Sequence, residues 1–257
     1  MERGDRAALA TFHAPGFEAA AGPVSLPEDA AHHARVRRLA NGDRVRLSDG
    51  AGLVAEGAIA RIAKTSLEVA IDPSTVARVP SPAPVHLLVP IGDRDRMLWL
   101  AEKAAELALT SWTAVRWSRS RSVSPRGEGP AFADKVRKRM IAALEQSHGA
   151  WLPEIGAELE PADAVARFAG LPRVLLDASG EAMPLVVGGA GTVAIALGPE
   201  GGLTPEERGA LREAGWRAAA LSPTVLRFET AALAALAVAR AALLGSARDP
   251  SGTSAGR

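Results

Sequence analysis

Two rhythms of apolar and polar positions divide the chain. Up to about residue 75 the apolar positions come in short alternating runs. Arg44-Val45-Arg46-Leu47-Ser48 alternates between two turn signals, Asn41-Gly42-Asp43 and Asp49-Gly50, and Leu53 to Ile62 and Ser66 to Ile71 continue the pattern. Several short strands joined by tight turns predict a small β-barrel. Pro27 to Ala40, with His32-His33 and interspersed Arg and Leu, reads instead as a short helix. Asp72-Pro73-Ser74 and Pro80-Ser81-Pro82-Ala83-Pro84 then oppose both helix and central strand. The domain boundary is expected there, giving domains over residues 1–78 and 79–248 and a flexible tail over 249–257.

Beyond the prolines the period lengthens. Val85 to Val89 is a buried-strand candidate, and Arg96 to Leu109 is helical, with Leu98, Ala101, Ala105 and Leu109 roughly on one face. Trp112 to Val115 reads as a strand and Ala131 to Ser147 as a helix. Arg173 to Asp177 and Thr192 to Leu197 are strands, and Pro205 to Ala214 is a helix stopped by Gly215. Ala218 to Leu221 is a short strand and Phe228 to Leu244 the last helix. Strands alternating with helices predict an α/β domain with a mostly parallel sheet.

Charge and composition narrow the function classes. The 257 residues carry 30 Lys+Arg against 29 Asp+Glu, so any affinity for nucleic acid comes from local clusters and not from the overall field. The chain has no cysteine, which excludes disulfides and thiolate metal sites. Met1-Glu2-Arg3-Gly4-Asp5-Arg6 is charged and has no apolar core behind it, so no signal peptide is expected. Thr230 to Leu244 is Ala-rich but short and contains Arg240, which argues against a membrane span and for a cytoplasmic protein.

Two strand–loop–helix junctions hold the candidate chemistry. In the first, Val193 to Leu197 runs into Gly198-Pro199-Glu200-Gly201-Gly202-Leu203, then Thr204-Pro205-Glu206-Glu207. The glycines let a ligand approach the main chain. Thr204, Pro205 and Glu207 fit the N-cap, N1 and N3 positions of a capping box. From spacing alone, a ligand loop and a plain capped turn are equal readings. The second junction is Leu221-Ser222-Pro223-Thr224-Val225-Leu226-Arg227-Phe228-Glu229-Thr230-Ala231, with Arg227 and Glu229 at a helix entrance where a carboxylate meets the positive end of the dipole. Gly189-Ala190-Gly191-Thr192-Val193-Ala194 fits a dinucleotide pattern but leads into a strand, so its structural context fails. His32-His33 does not suit a shared metal, because adjacent helical residues diverge; supporting the N-terminal domain or its packing is the better role.

Together, Gly198-Pro199-Glu200-Gly201-Gly202-Leu203-Thr204 and Val225-Leu226-Arg227-Phe228-Glu229-Thr230-Ala231 resemble the bacterial uridine-N3 methyltransferases of 16S ribosomal RNA, in the SPOUT superfamily of knotted methyltransferases. His32 to Leu39 with Gly42-Asp43 and Asp49-Gly50 is similar to that family's N-terminal PUA-like domain. Glu102-Lys103-Ala104-Ala105-Glu106-Leu107, Glu145-Gln146-Ser147 and Pro153-Glu154-Ile155 match further landmarks in order. The resemblance implies a PUA-like barrel followed by a mostly parallel sheet with a C-terminal trefoil knot, a rare exception to the usual connection rules. It implies S-adenosylmethionine as cofactor, held by Leu176, Leu197, Gly198, Pro199, Glu200, Gly201, Gly202, Leu221, Ser222, Val225 and Leu226, with the Leu175-Leu176-Asp177 strand end expected to add a third wall. It implies methylation of N3 of one uridine, number 1498 in the family's usual numbering. Arg227 is expected to stabilise the developing anion, and Glu229 to orient Arg227, take a proton or cap the helix. No metal is implied, and a homodimer is.

RNA has to be held as well. Between Arg116 and Arg139 eight basic residues face two acidic ones, and Arg35, Arg37, Arg38, Arg44 and Arg46 form a second cluster. Such side chains hold phosphates without reading sequence; Arg35, Arg37, Arg38, Arg116, Arg119, Arg121, Arg137 and Lys138 are the candidate contacts to 16S ribosomal RNA in the small ribosomal subunit. Trp112 and Trp117 suit base stacking or, better, core packing. The chain departs from the family where Ala108 follows Glu-Leu in place of Gly, where Arg94 or Arg96 replaces a lysine, and where Ser222, Thr224 and Phe228 replace Gly, Arg and Thr. His148-Gly149 stands where an Arg is common. Those changes keep two alternatives open: a non-catalytic RNA-binding or assembly protein with a diverged cofactor loop, and a ribose 2′-O-methyltransferase of the same superfamily.

Overall fold

The structure is a computed structural model that describes residues 9–18, 22–120 and 126–246, with side chains through Leu244. The chain parts into two compact units. The first runs up to Ser81 and takes in Ile141–Leu152; the second holds Pro82–Met140 and the residues from Pro153 on.

In the first unit the strands are β1 (Ala10–His13), β2 (Val24–Leu26), β3 (Arg44–Ser48), β4 (Leu53–Ile62), β5 (Leu67–Ile71) and β6 (Ala77–Arg78), with helix α1 (Glu28–Val36) after β2. They lie in the order β1-β3-β4-β5-β2, with β6 on β4, and the sheet curls into a half-barrel. The alternation legible in the sequence turns Val45, Leu47, Ile59, Leu67 and Val69 inward, where they meet Phe12 and the alanines of α1. Thr11 and Phe12 of β1 are wholly buried in a strand too short to announce itself. The returning segment adds polar ties. Glu145 accepts the His13 backbone N–H at 2.9 Å through Oε1, and its Oε2 stands 3.2 Å from His33 Nδ1. His148 Nδ1 bonds Thr11 Oγ1 at 2.8 Å. His33 also sets its ring against Phe12, so it packs within the unit, while His32 is exposed.

The second unit is α/β. Its strands are β7 (Val85–Pro90), β8 (Ser111–Val115), β9 (Glu154–Ile155), β10 (Arg173–Ala182), β11 (Val193–Ala196) and β12 (Arg217–Ala220). Its helices are α2 (Arg94–Glu106), α3 (Pro130–Ser147, continuing past Met140 into the returning segment), α4 (Pro161–Ala166), α5 (Met183–Val187), α6 (Pro205–Glu213) and α7 (Phe228–Ser246). The sheet order is β12-β10-β11-β7-β8-β9, every pair parallel. Strands covered on both faces read as unbroken apolar runs, which is why Val85 to Val89 and Val193 to Ala196 were legible. Trp112 and Trp117 are 2% and 1% exposed, so both belong to the core.

One departure from the family pattern acquires a structural meaning. Ala108 follows α2 with φ of 54°, a left-handed conformation that glycine adopts freely and alanine does not. The exposed carbonyls at that helix end are collected by Arg240 of α7: Nε donates to Leu107 O at 3.2 Å, Nη2 to Ala108 O at 2.6 Å and Nη1 to Ala83 O at 2.7 Å. Burial pulls the Arg240 pKa down, yet a guanidinium remains charged, and it sits at the negative end of the α2 dipole. None of the helices in the described residues is long and apolar enough to cross a membrane.

Candidate functional site

Parallel strands send their carboxyl ends to one edge of the sheet, and crevices there are natural ligand sites. At the ends of β10, β11 and β12 the structure has a cleft of about 490 Å³, the size of a pocket for a nucleotide-like ligand. Leu176, Leu197, Gly198, Pro199, Glu200, Gly202, Leu221, Ser222, Val225 and Leu226 all line it. These are ten of the eleven positions expected to hold a cofactor. Apolar side chains and open main chain dominate the walls, which suits the faces and edge of a purine.

The eleventh position, Gly201, faces away from this lining. Its carbonyl accepts Arg119 Nη1 at 3.1 Å, and a Cβ on it would meet Arg119 Cβ at 3.2 Å. At Gly198 a Cβ would come within 2.9 Å of Leu203 Cγ, so Gly198 lets the loop fold back on itself. Gly202 has φ of 70° and donates to Pro199 O at 2.7 Å. The expected capping box is present: Thr204 Oγ1 accepts Glu207 N–H at 3.2 Å and Glu207 Oε2 accepts Thr204 N–H at 2.8 Å. The other oxygen of Glu207 accepts Ser118 N–H at 2.8 Å, and buried Trp117 donates Nε1–H to Leu197 O at 3.1 Å. In the second loop Ser222 Oγ lies 2.9 Å from Thr224 Oγ1 and accepts Thr224 N–H at 3.1 Å. The substituted pair thus builds its own turn. Phe228 is buried, lines the cleft and packs over Gly92.

Arg227 and Glu229 flank the start of α7 outside this lining. Arg227 is exposed. Glu229 turns to Arg96 instead of Arg227: Arg96 Nε is 3.8 Å from its Oε1, and Arg96 Nη1 also bonds Glu200 of the first loop. The side chain of Glu229 is 13% exposed, and its Oε2 is buried without a hydrogen-bond partner among the described residues. Arg96 enters from the first turn of α2, capped by Asp93 Oδ1, which accepts Asp95 N–H at 3.1 Å and Arg96 N–H at 2.9 Å.

The basic candidates separate into two kinds. Arg35, Arg37 and Arg38 are exposed on and after α1, and Arg137 and Lys138 are exposed on α3. Arg116, by contrast, is held by Glu128, Glu158 (2.9 Å) and Glu160 (3.5 Å). Its hydrogen bond keeps the Glu128 carboxyl below the usual carboxylate range. Arg119 is committed to the first loop, so the local charge counted from the sequence overstates what the folded surface offers. Arg121 lies outside the described residues.

Residues 79–240 match the model of the RNA methyltransferase domain family, and residues 26–72 that of the RNA methyltransferase PUA domain. Over 222 residues, 80% of each chain, the sequence is 31% identical to the ribosomal RNA small subunit methyltransferase E of Mycobacterium bovis and to that of Mycobacterium tuberculosis. The chain belongs to the ribosomal RNA small subunit methyltransferase E family. The Neisseria gonorrhoeae member, solved with S-adenosyl methionine, shares the fold at a TM-score of 0.81 and 24% identity, covering 91% of this chain and 97% of its own. A Legionella pneumophila protein solved with the cofactor SAM has a TM-score of 0.80 and 26% identity, covering 91% and 98%. In this chain the cleft also takes in Asp177, at the strand end expected to add a third wall, together with Ser179 and Arg208, which local sequence motifs do not single out. Asp177 was signalled by its place at the end of an apolar run, whereas Ser179 and Arg208 carry no such signal.

Proposed function

We propose that the chain methylates N3 of one uridine in small-subunit ribosomal RNA, with S-adenosylmethionine as donor. The observation that carries this reading is the convergence of ten expected cofactor positions on one cleft at the ends of three parallel strands. The bound cofactor supplies a methyl group already activated on a sulfonium, so the protein's work is positioning and charge. Gly198 and Gly202, which line the cleft, let an adenine edge approach the main chain, and Leu197, Leu221 and Leu226 cover its faces. Arg227, exposed at the α7 entrance, stabilises the negative charge that develops on the pyrimidine oxygens when the N3 proton leaves. Glu229 is the acceptor for that proton, since its Oε2 has no partner of its own among the described residues.

Exposed Arg35, Arg37 and Arg38 in residues 1–78, and Arg137 and Lys138 in residues 79–248, hold RNA phosphates. The homodimer, the trefoil knot and the cytoplasmic location belong to the same proposal and rest on the family resemblance. The turn made by Ser222 and Thr224 favours an intact cofactor loop over a decayed one.

Mass mapping of ribosomal RNA from cells with and without this protein tests the reading. One methylated uridine should be lost with the gene and restored by the wild-type chain. Arg227→Ala should fold normally and lose about 100-fold in turnover, the usual effect of deleting one charge-stabilising donor. An unchanged modification pattern overturns the function, and unchanged turnover overturns the role of Arg227.

A further inference from the structure

One charged group in the cleft has no part in the chemistry above. Asp177 lies where the register of β10 on β12 shifts, between Leu176 and Glu181. A bulge of this kind re-aims side chains, and here Asp177, Ala178 and Ser179 all reach the cleft wall. Gly180 makes the bulge possible: a Cβ there would come within 2.4 Å of the Ala218 carbonyl carbon and the Ala219 nitrogen. The Asp177 side chain is 12% exposed. Its Oδ1 accepts Ser179 N–H at 2.9 Å and Ser179 Oγ–H at 2.7 Å. Its Oδ2 stands 3.2 Å from Arg208 Nε and 3.7 Å from Arg212 Nη2. Burial works to raise its pKa, but the Ser179 bonds and the two guanidinium groups outweigh that and hold it below the usual carboxylate range.

We propose that Asp177 receives the vicinal diol of the cofactor's ribose, an assignment that rests on reading the cleft as the S-adenosylmethionine site. A carboxylate has acceptor capacity for about four hydrogens, and the protein's own donors leave part of it open. Two adjacent hydroxyls offer two neutral donors to one carboxylate. The ligand's ammonium is the competing partner, and charge disfavours it. Asp177 with Arg208 and Arg212 carries a net positive charge, which repels a cation and tolerates a hydroxyl. Placement agrees: β10 lies between β11 and β12, whose loops supply the apolar flanks for the base. The sugar attached to that base therefore sits over the end of β10.

The test is a binding cycle by calorimetric titration. S-adenosylhomocysteine and its 2′,3′-dideoxy counterpart are titrated into the wild type, Asp177→Asn and Asp177→Ala, with melting curves recorded for each. In the wild type, loss of the diol should weaken binding by at least about a hundredfold, the effect of two hydrogen bonds to a charged group. Asp177→Ala should weaken S-adenosylhomocysteine to a similar degree and show no further loss with the dideoxy ligand, the signature of a direct coupling. Asp177→Asn should fall between the two. Equal wild-type affinity for both ligands overturns the proposal even if the variants fail to fold. A diol penalty as large in Asp177→Ala as in the wild type also overturns it, leaving Asp177 as an ion-pair residue of the fold. A wild type that binds neither ligand at millimolar concentration overturns the cofactor reading itself.

Discussion

The two loops that face each other across the cleft are built in opposite ways. The loop after β11 is tied at almost every position. Trp117 holds Leu197, Arg96 holds Glu200, Arg119 holds Gly201, and Thr204 and Glu207 close on each other while Glu207 also takes Ser118 N–H. The loop after β12 has a local tie between Ser222 and Thr224, with Val225 96% exposed. One wall is thus braced by many ties, and the other by few.

The sharpest way to break the contrast is to cut the brace of the first wall. Glu207 is 8% exposed and satisfies two backbone N–H groups, so Glu207→Ala should cost about 3 kcal/mol in urea unfolding. A loss below about 1 kcal/mol would mean that the loop holds without this brace. Next in size, Gly198→Ala sets a methyl against Leu203 and should lower S-adenosylmethionine affinity about tenfold in a calorimetric titration. Unchanged affinity would show a first loop as adaptable as the second. Smallest, Ser222→Ala removes a partly exposed hydrogen bond and should cost less than about 0.5 kcal/mol in the same unfolding measurement. A substantially larger loss would give the second wall a rigidity that its few contacts do not suggest.

How much of this was legible in sequence depends on how local each feature is. The cap at Thr204 and Glu207 is written within four consecutive residues, so it could be read directly and the structure has it as expected. Five of the six parallel strands could also be read from the sequence; β9, two residues long and beginning with Glu154, could not. The bulge that delivers Asp177 was not legible, because register is a relation between β10 and β12 and no single segment encodes it. Nor did any break in period announce that Ile141–Leu152 returns to the first unit, since α3 runs without interruption past Met140. Clustered charge was the least faithful guide. Arg116 and Arg119 look free in a linear run, yet besides nearby Glu128 their partners are Glu158, Glu160 and Gly201, far along the chain. The family substitution at Ala108 took its meaning from geometry alone, through a backbone angle that the residue name does not disclose.

Arg240 has a consequence for the order in which the molecule is completed. The carbonyl of Leu107 waits for a donor 133 residues further along the chain. A nascent chain that has made α2 therefore carries an unfinished helix end until α7 emerges from the ribosome. Chains interrupted before that point leave the carbonyls of that helix end to water in place of the guanidinium.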